Sequence, residues 1–152
     1  MKKNYRIPGK KLYILLITIS VLILALSLEV LMQVKDETLF IRWIEDIQAQ
    51  ENITVSEGEA FDTYVSGHIL LYTLNLVIPL GFALHTFFAY KKGKINSLFI
   101  YLWMIMLMGG LIFTLISWNY QSLFYYIRII AYIVLLGTTL SLSREVEISK
   151  IW

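Results

Sequence analysis

The sequence contains no cysteine, which removes disulfides, thiolate metal sites, thiol redox chemistry and cysteine nucleophiles together. Charge is also scarce, at 16% of residues, and almost none of it falls inside four long apolar runs. No Gly-x-Ser-x-Gly or His-Glu-x-x-His pattern is present, so neither a nucleophile elbow nor a zinc-binding helix is signalled. No nucleotide-binding glycine loop and no basic patch of the kind that tracks nucleic acid occurs. Internal repeats are absent as well.

What remains is 58% apolar with a mean hydropathy of +0.68, a composition that water does not solvate well. An isolated charge at the centre of a bilayer costs roughly 2.5–3.5 kcal/mol on insertion scales, so charges are expelled to loops. The chain reads as one all-α integral membrane domain, residues 1–152, with spans at about 12–34, 65–90, 98–118 and 123–142. The segment 35–64 lies between the first two spans. Only Asn119 to Ser122 separate the last two, which makes them an antiparallel hairpin. Pro79 sits mid-span, removes one backbone hydrogen bond and predicts a kink near Leu76. The basic leader and Ala25-Leu26-Ser27 resemble a cleavable secretory signal, but the apolar run is too long and continues past that site.

Lysine and arginine placement in short loops predicts orientation. The leader (Lys2, Lys3, Arg6, Lys10, Lys11), the second loop (Lys91, Lys92, Lys94) and the tail (Arg144, Lys150) carry ten, against Lys35 and Arg42 on the other side. Both termini are thus expected in the cytoplasm of a multi-pass cell-membrane protein, with 35–64 outside. Tyr13, Tyr64, Tyr90, Trp118 and Tyr120 fall near the span boundaries, where amphipathic rings prefer to lie.

The outer segment carries eight acidic residues and two basic ones. Leu39, Phe40, Trp43, Ile44 and Ile47 recur at helical spacing opposite Glu37, Arg42, Glu45, Asp46 and Gln48. An amphipathic helix of about three turns is expected there, capped by Asp36 and lying at the outer membrane surface. Its apolar face is a candidate partner-binding surface. Ser56-Glu57-Gly58-Glu59 fits a capping box, which would start the second long helix outside the bilayer. Asn52-Ile53-Thr54 matches a glycosylation acceptor.

Two residues within the spans are normally charged, Glu29 and Arg128. Each lies five residues from the same face, a depth of about 7.5 Å at ~1.5 Å rise per residue. An ion pair between the first and fourth spans is the economical arrangement, the alternative being that both snorkel separately to the headgroups. His68, Tyr72 and Asn75 follow one another on one face at similar depth, and Tyr125 and Tyr132 flank Arg128. Thr114 and Ser117 add hydroxyls from the third span. Glu29, His68, Tyr72, Asn75, Arg128 and Tyr132 are therefore candidates for a polar pocket. The competing reading is that Asn75, Thr114, Ser117 and the tyrosines hydrogen-bond between helices and hold the bundle together.

His68 and His85 lie seventeen residues apart on one helix, roughly 100° apart at 3.6 residues per turn, so they cannot both ligate one haem. No cofactor and no metal site is expected. Gly109, Gly110 and Gly137 are expected to permit close helix packing.

Three functions compete. The first is a non-enzymatic accessory or protective protein that binds a membrane protein or peptide through the acidic segment and the polar pocket. The second is a small homo-oligomeric transporter or ion pathway using Glu29 and Arg128. The third is a lipid-modifying surface enzyme with His68 as base, oriented by Asp62, Glu59 or Glu29. The expected partners are the lipid bilayer and either another protein or further copies of the chain, with no nucleic acid.

Overall fold

The computed structural model describes residues 7–51, 56–92, 95, 97–117 and 120–151. Lys2, Lys3 and Arg6 of the leader, the Asn52-Ile53-Thr54 triplet, Lys94 and the boundary residue Trp118 lie outside that set. Five helices follow one another: α1 (Gly9–Lys35), α2 (Glu37–Glu51), α3 (Glu57–Lys92), α4 (Ser97–Ile116) and α5 (Leu123–Ile151). Four are long and apolar enough to cross a membrane, namely α1, α3, α4 and the Leu123–Glu145 part of α5. Large apolar side chains cover their outward faces, including Ile17, Leu24, Leu74, Ile105 and Ile130. An apolar surface of that extent suits hydrocarbon as solvent rather than water.

The helix ends follow from local chemistry. Pro8, held near φ −62° by its ring, precedes α1, and the Leu12 amide donates to its carbonyl. The helix therefore begins three residues before the apolar run. Asp36 ends α1 in an extended conformation and starts α2 at once. One carboxylate oxygen, Oδ1, accepts from the amides of Thr38 and Leu39 at 3.0 and 3.3 Å and from the Thr38 hydroxyl at 2.6 Å. These bonds hold its pKa below the ordinary carboxylate value. At the start of α3, the Glu59 amide donates to Ser56 Oγ at 3.4 Å and the Ser56 hydroxyl donates to the Glu59 carboxylate at 2.8 Å. The box thus closes through the hydroxyl, and α3 starts eight residues ahead of its apolar stretch. It then runs unbroken through the buried Pro79 to Lys92. At the other end of the chain, α5 outlasts its apolar stretch and reaches Ile151, because Ser143-Arg144-Glu145-Val146-Glu147 contains no glycine or proline to stop it.

α1 and α5 are the two inner helices: α1 packs along both α3 and α5, α4 packs on α5 as a hairpin, and α3 and α4 touch only sparsely. The bundle is thus an open ring in the order α3, α1, α5, α4, with a seam between its two ends. On α1 a buried stripe runs through Leu12, Leu15, Ile19, Leu22, Leu26 and Glu29, and on α5 another runs through Tyr125, Arg128, Tyr132, Leu135, Thr139 and Leu142, with the small residues Ala25 and Ala131 also buried beside them. Both stripes alternate steps of three and four, the spacing of two helices meeting along one narrow line. Glu29 and Arg128 occupy regular places in these stripes and so face the partner helix.

Two charged contacts set the antiparallel register of α1 against α5. At one end Lys11 Nζ lies 2.8 Å from the Glu145 carboxylate and donates to Ser141 Oγ at 2.7 Å. At the other, Arg128 lies 3.2 Å from Glu29. They are eighteen residues apart on α1, or about 27 Å at ~1.5 Å per residue, close to the thickness of a hydrocarbon core.

Of the candidate packing glycines, Gly110 is the one with a tight neighbour: an added Cβ would come within 2.7 Å of the Tyr132 ring, while Gly109 and Gly137 face open space. The Gly110→Ala protein should be destabilised by about 1–3 kcal/mol in thermal unfolding, since the ring has to leave its seat. Gly109→Ala should be neutral or stabilising by up to about 1 kcal/mol. Because the Asp36 pKa is lowered in the folded chain, its contribution is present above the ordinary carboxylate value and is lost as pH falls through the lowered one. Fluorescence of Trp43 on α2 should accordingly hold steady at mildly acidic pH and change only in stronger acid. In Asp36→Asn, which still caps but does not ionise, that transition should disappear.

Candidate functional site

Polar groups gather at the end of the bundle that α2 covers. A chamber of about 240 Å³ opens there among α1, α3, α4 and α5, and Glu29, Gln33, His68, Tyr72, Asn75 and Arg128 are among its walls. Five of the six expected pocket residues therefore meet. The sixth, Tyr132, sits in the core against Gly110 and lines a different cavity of about 330 Å³ at the α3–α4 seam. The absence of a Cβ at Gly110 leaves the slot that this ring occupies.

The ion pair is deeply buried, each side chain only 8% exposed. Removing two ions from water costs several kcal/mol apiece, and the pair recovers this only through close approach and further hydrogen bonds. Arg128 Nε is buried and has no acceptor among the described residues, although an arginine N–H in a low-dielectric setting normally finds one.

The neighbours divide into groups that cross between helices and groups that do not. Ser27 Oγ and Tyr72 Oη lie 2.9 Å apart and join α1 to α3. The Tyr64 hydroxyl donates to the Gln33 carbonyl at 2.9 Å and joins them again. Asn75, Thr114 and Ser117, candidates for cross-helix bonds, instead donate to Leu71, Gly110 and Thr114 carbonyls on their own helices. These are local side-chain bonds to the preceding turn, available to any such residue in a helix.

His68 Nδ1 lies 3.0 Å from the Tyr64 carbonyl. A carbonyl only accepts, so Nδ1 carries the proton, and a neutral ring has its lone pair on Nε2. The ring is thus oriented by a backbone carbonyl, in the place where a catalytic reading would put Asp62, Glu59 or Glu29. His85 lies near the opposite end and accepts a hydrogen bond from Trp103 Nε1 at 2.9 Å.

Beyond the chamber lies a wider vestibule of about 780 Å³, sharing Glu29, Gln33 and His68 with it and walled on one side by α2. Its charged groups are Glu29, Asp36, Asp46 and Arg42, and Trp43 and Tyr64 supply aromatic faces. Of the apolar residues expected to face a partner, Phe40 is buried against α3, edge-on to Phe61 with centroids 5.2 Å apart. Trp43 lies 5.4 Å from the Tyr64 ring, and Ile44 packs on the same cluster. Leu39 lines the vestibule, and Ile47 is half-buried. Gln33, Asp36 and Asp46 belong to this site, although the sequence marks Asp36 only as a cap and Asp46 only as part of the amphipathic helix's polar side, and leaves Gln33 unmarked. The available signal for Gln33 is its place one turn after Glu29 on the same face.

Among the described residues, no three histidine, aspartate or glutamate side chains converge as metal ligands. No protein family matches the chain, and no curated protein or solved structure is significantly similar to it.

Removing either partner of the buried pair strands the other charge, at a cost of about 3–5 kcal/mol. Glu29→Arg and Arg128→Glu should therefore each lower folded yield and melting temperature sharply. The double exchange should restore most of both, and a double mutant no better than the singles would show that the pair does not couple α1 to α5.

Proposed function

We propose that this is a non-enzymatic membrane protein, accessory or protective in role, that receives a basic segment of a peptide or membrane-protein partner in the vestibule between α2 and the bundle. The carrying observation is the vestibule's charge: with Glu29 held by Arg128, the carboxylates of Asp36 and Asp46 face Arg42 beside the rings of Trp43 and Tyr64. Carboxylates accept from ammonium or guanidinium groups, and aromatic faces attract the same cations. The acidic excess over 35–64 would draw such a partner in and speed its encounter. The lysine and arginine bias supports an orientation with this end outside and both termini in the cytoplasm.

A role for α2 as a free apolar docking face has less support, because Phe40, Trp43 and Ile44 are engaged with α3. Its acidic and vestibule-lining side carries the proposal instead. Transport through one chain is also less favoured. Below the chamber, Leu22, Phe82, Leu107 and Leu135 are each 0% exposed and fill the middle of the bundle. The enzymatic reading has less support, because the Tyr64 carbonyl and not a carboxylate is the partner of His68 Nδ1 among the described residues.

The test is titration of a short lysine- and arginine-rich peptide into the full chain in nanodiscs of uncharged lipid, read by Trp43 fluorescence. Binding should weaken as salt rises. Asp36→Asn with Asp46→Asn should weaken it about tenfold or more, as expected for lost bonds to a charged group. Asp62→Asn, outside the vestibule, should have little effect. Equal losses from all three positions would reduce the effect to general attraction and remove the site.

A further inference from the structure

The cavity at the α3–α4 seam is distinct from the vestibule and is lined chiefly by Leu71, Leu74, Ile78, Gly109 and Phe113. Leu71, Leu74 and Phe113 are exposed on the bundle's flank, so this cavity opens sideways, where the bilayer lies for a spanning chain. It shares Leu71, Asn75 and Phe113 with the polar chamber, so the two spaces adjoin. An apolar cleft therefore leads from the flank to a buried polar end.

Size and charge narrow the occupant. A chamber of about 240 Å³ falls below the roughly 300–1,000 Å³ typical of small-molecule sites, the seam cavity of about 330 Å³ lies at the lower edge of that range, and the two adjoin. A helix of a partner or a second copy, about 10 Å across with its side chains, is too wide to enter a seam cavity of about 330 Å³. A single extended chain is narrow enough. At the polar end, Glu29 and Arg128 already neutralise each other. An added ion would stand uncompensated in a low-dielectric space, whereas a neutral acceptor would satisfy the buried Nε–H that has none among the described residues.

We propose that the seam and chamber together bind an uncharged single-chain amphiphile of the monoacylglycerol class, entering sideways between α3 and α4. The chain lies along Leu71, Leu74, Ile78 and Phe113. The ester carbonyl takes the hydrogen bond from Arg128, and the hydroxyls of the head are within the company of Gln33, Tyr72 and Asn75. The chain-binding seam shares no residue with the vestibule of the peptide-binding reading, whereas the chamber adjoins it through Glu29, Gln33 and His68.

The experiment uses the full chain in detergent with a monoacylglycerol carrying a photoreactive group in mid-chain, beside a free fatty acid probe of the same chain. In the wild type, label should concentrate on 71–78 and 109–113, and the ester should label about tenfold more than the carboxylate. Gly109→Leu, which grows a side chain into space now open, should cut labelling about tenfold while leaving thermal unfolding and basic-peptide binding as in the wild type. Arg128→Lys, which keeps the charge but lacks Nε–H, should abolish the preference for the ester. Label spread evenly over all outward faces, label unchanged in Gly109→Leu, or preference for the carboxylate would each overturn the proposal. Cross-links joining two chains at the seam would assign it to a second copy and overturn it too.

Discussion

A buried acid and a buried base within 3.2 Å of each other impose more on this bundle than any apolar contact does. Apolar stripes with steps of three and four look nearly the same after a slide of seven residues, so Leu12 to Leu26 could meet Tyr132 to Leu142 in more than one register. Only one register brings Glu29 to Arg128, and the same one brings Lys11 to Glu145. Such a pair need not be worth more than two well-packed hydrophobic side chains. Its effect is on choice: the alternatives leave charges stranded in hydrocarbon, and that penalty separates one packing from the rest.

The register in turn builds the polar end. With α1 set against α5, Glu29, Gln33 and Asp36 descend one after another from chamber to vestibule, and α3 brings His68 and Tyr64 alongside. Three spaces of different character result. The vestibule is acidic and aromatic, the chamber holds a neutralised pair with a spare donor, and the seam is apolar. α2 takes part in this as a wall, tied to α3 by the Phe40, Trp43 and Tyr64 rings and to α1 through the single residue Asp36.

Much of this was legible in the residues. Long apolar runs gave the four spans, Asn119 to Ser122 gave the hairpin, and Asp36 and Ser56 declared themselves as caps by type and spacing. The ion pair followed from depth alone, and the stripe running from Leu12 to Glu29 would have strengthened it by placing the acid on the packed side. The docking of α2 on α3 was not legible, because an amphipathic helix presents the same pattern to a lipid surface and to another helix. Nor was the separation of Tyr132 from the chamber, which depends on Gly110 standing opposite it on another helix. Asn75, Thr114 and Ser117 misled in a simple way: a hydroxyl or amide in a helix has a carbonyl of its own within reach, and no sequence pattern distinguishes that from a bond to a neighbour.

The adjacency of α1 and α5 carries a consequence for biogenesis. Glu29 emerges from the ribosome about a hundred residues before Arg128, so its counter-charge arrives only with α5. Until α5 has been made, the first helix carries Glu29 without Arg128, a costly state for a carboxylate in a spanning helix. Neutralisation of the buried acid therefore waits for α5, so the polar end cannot assemble before that helix is made.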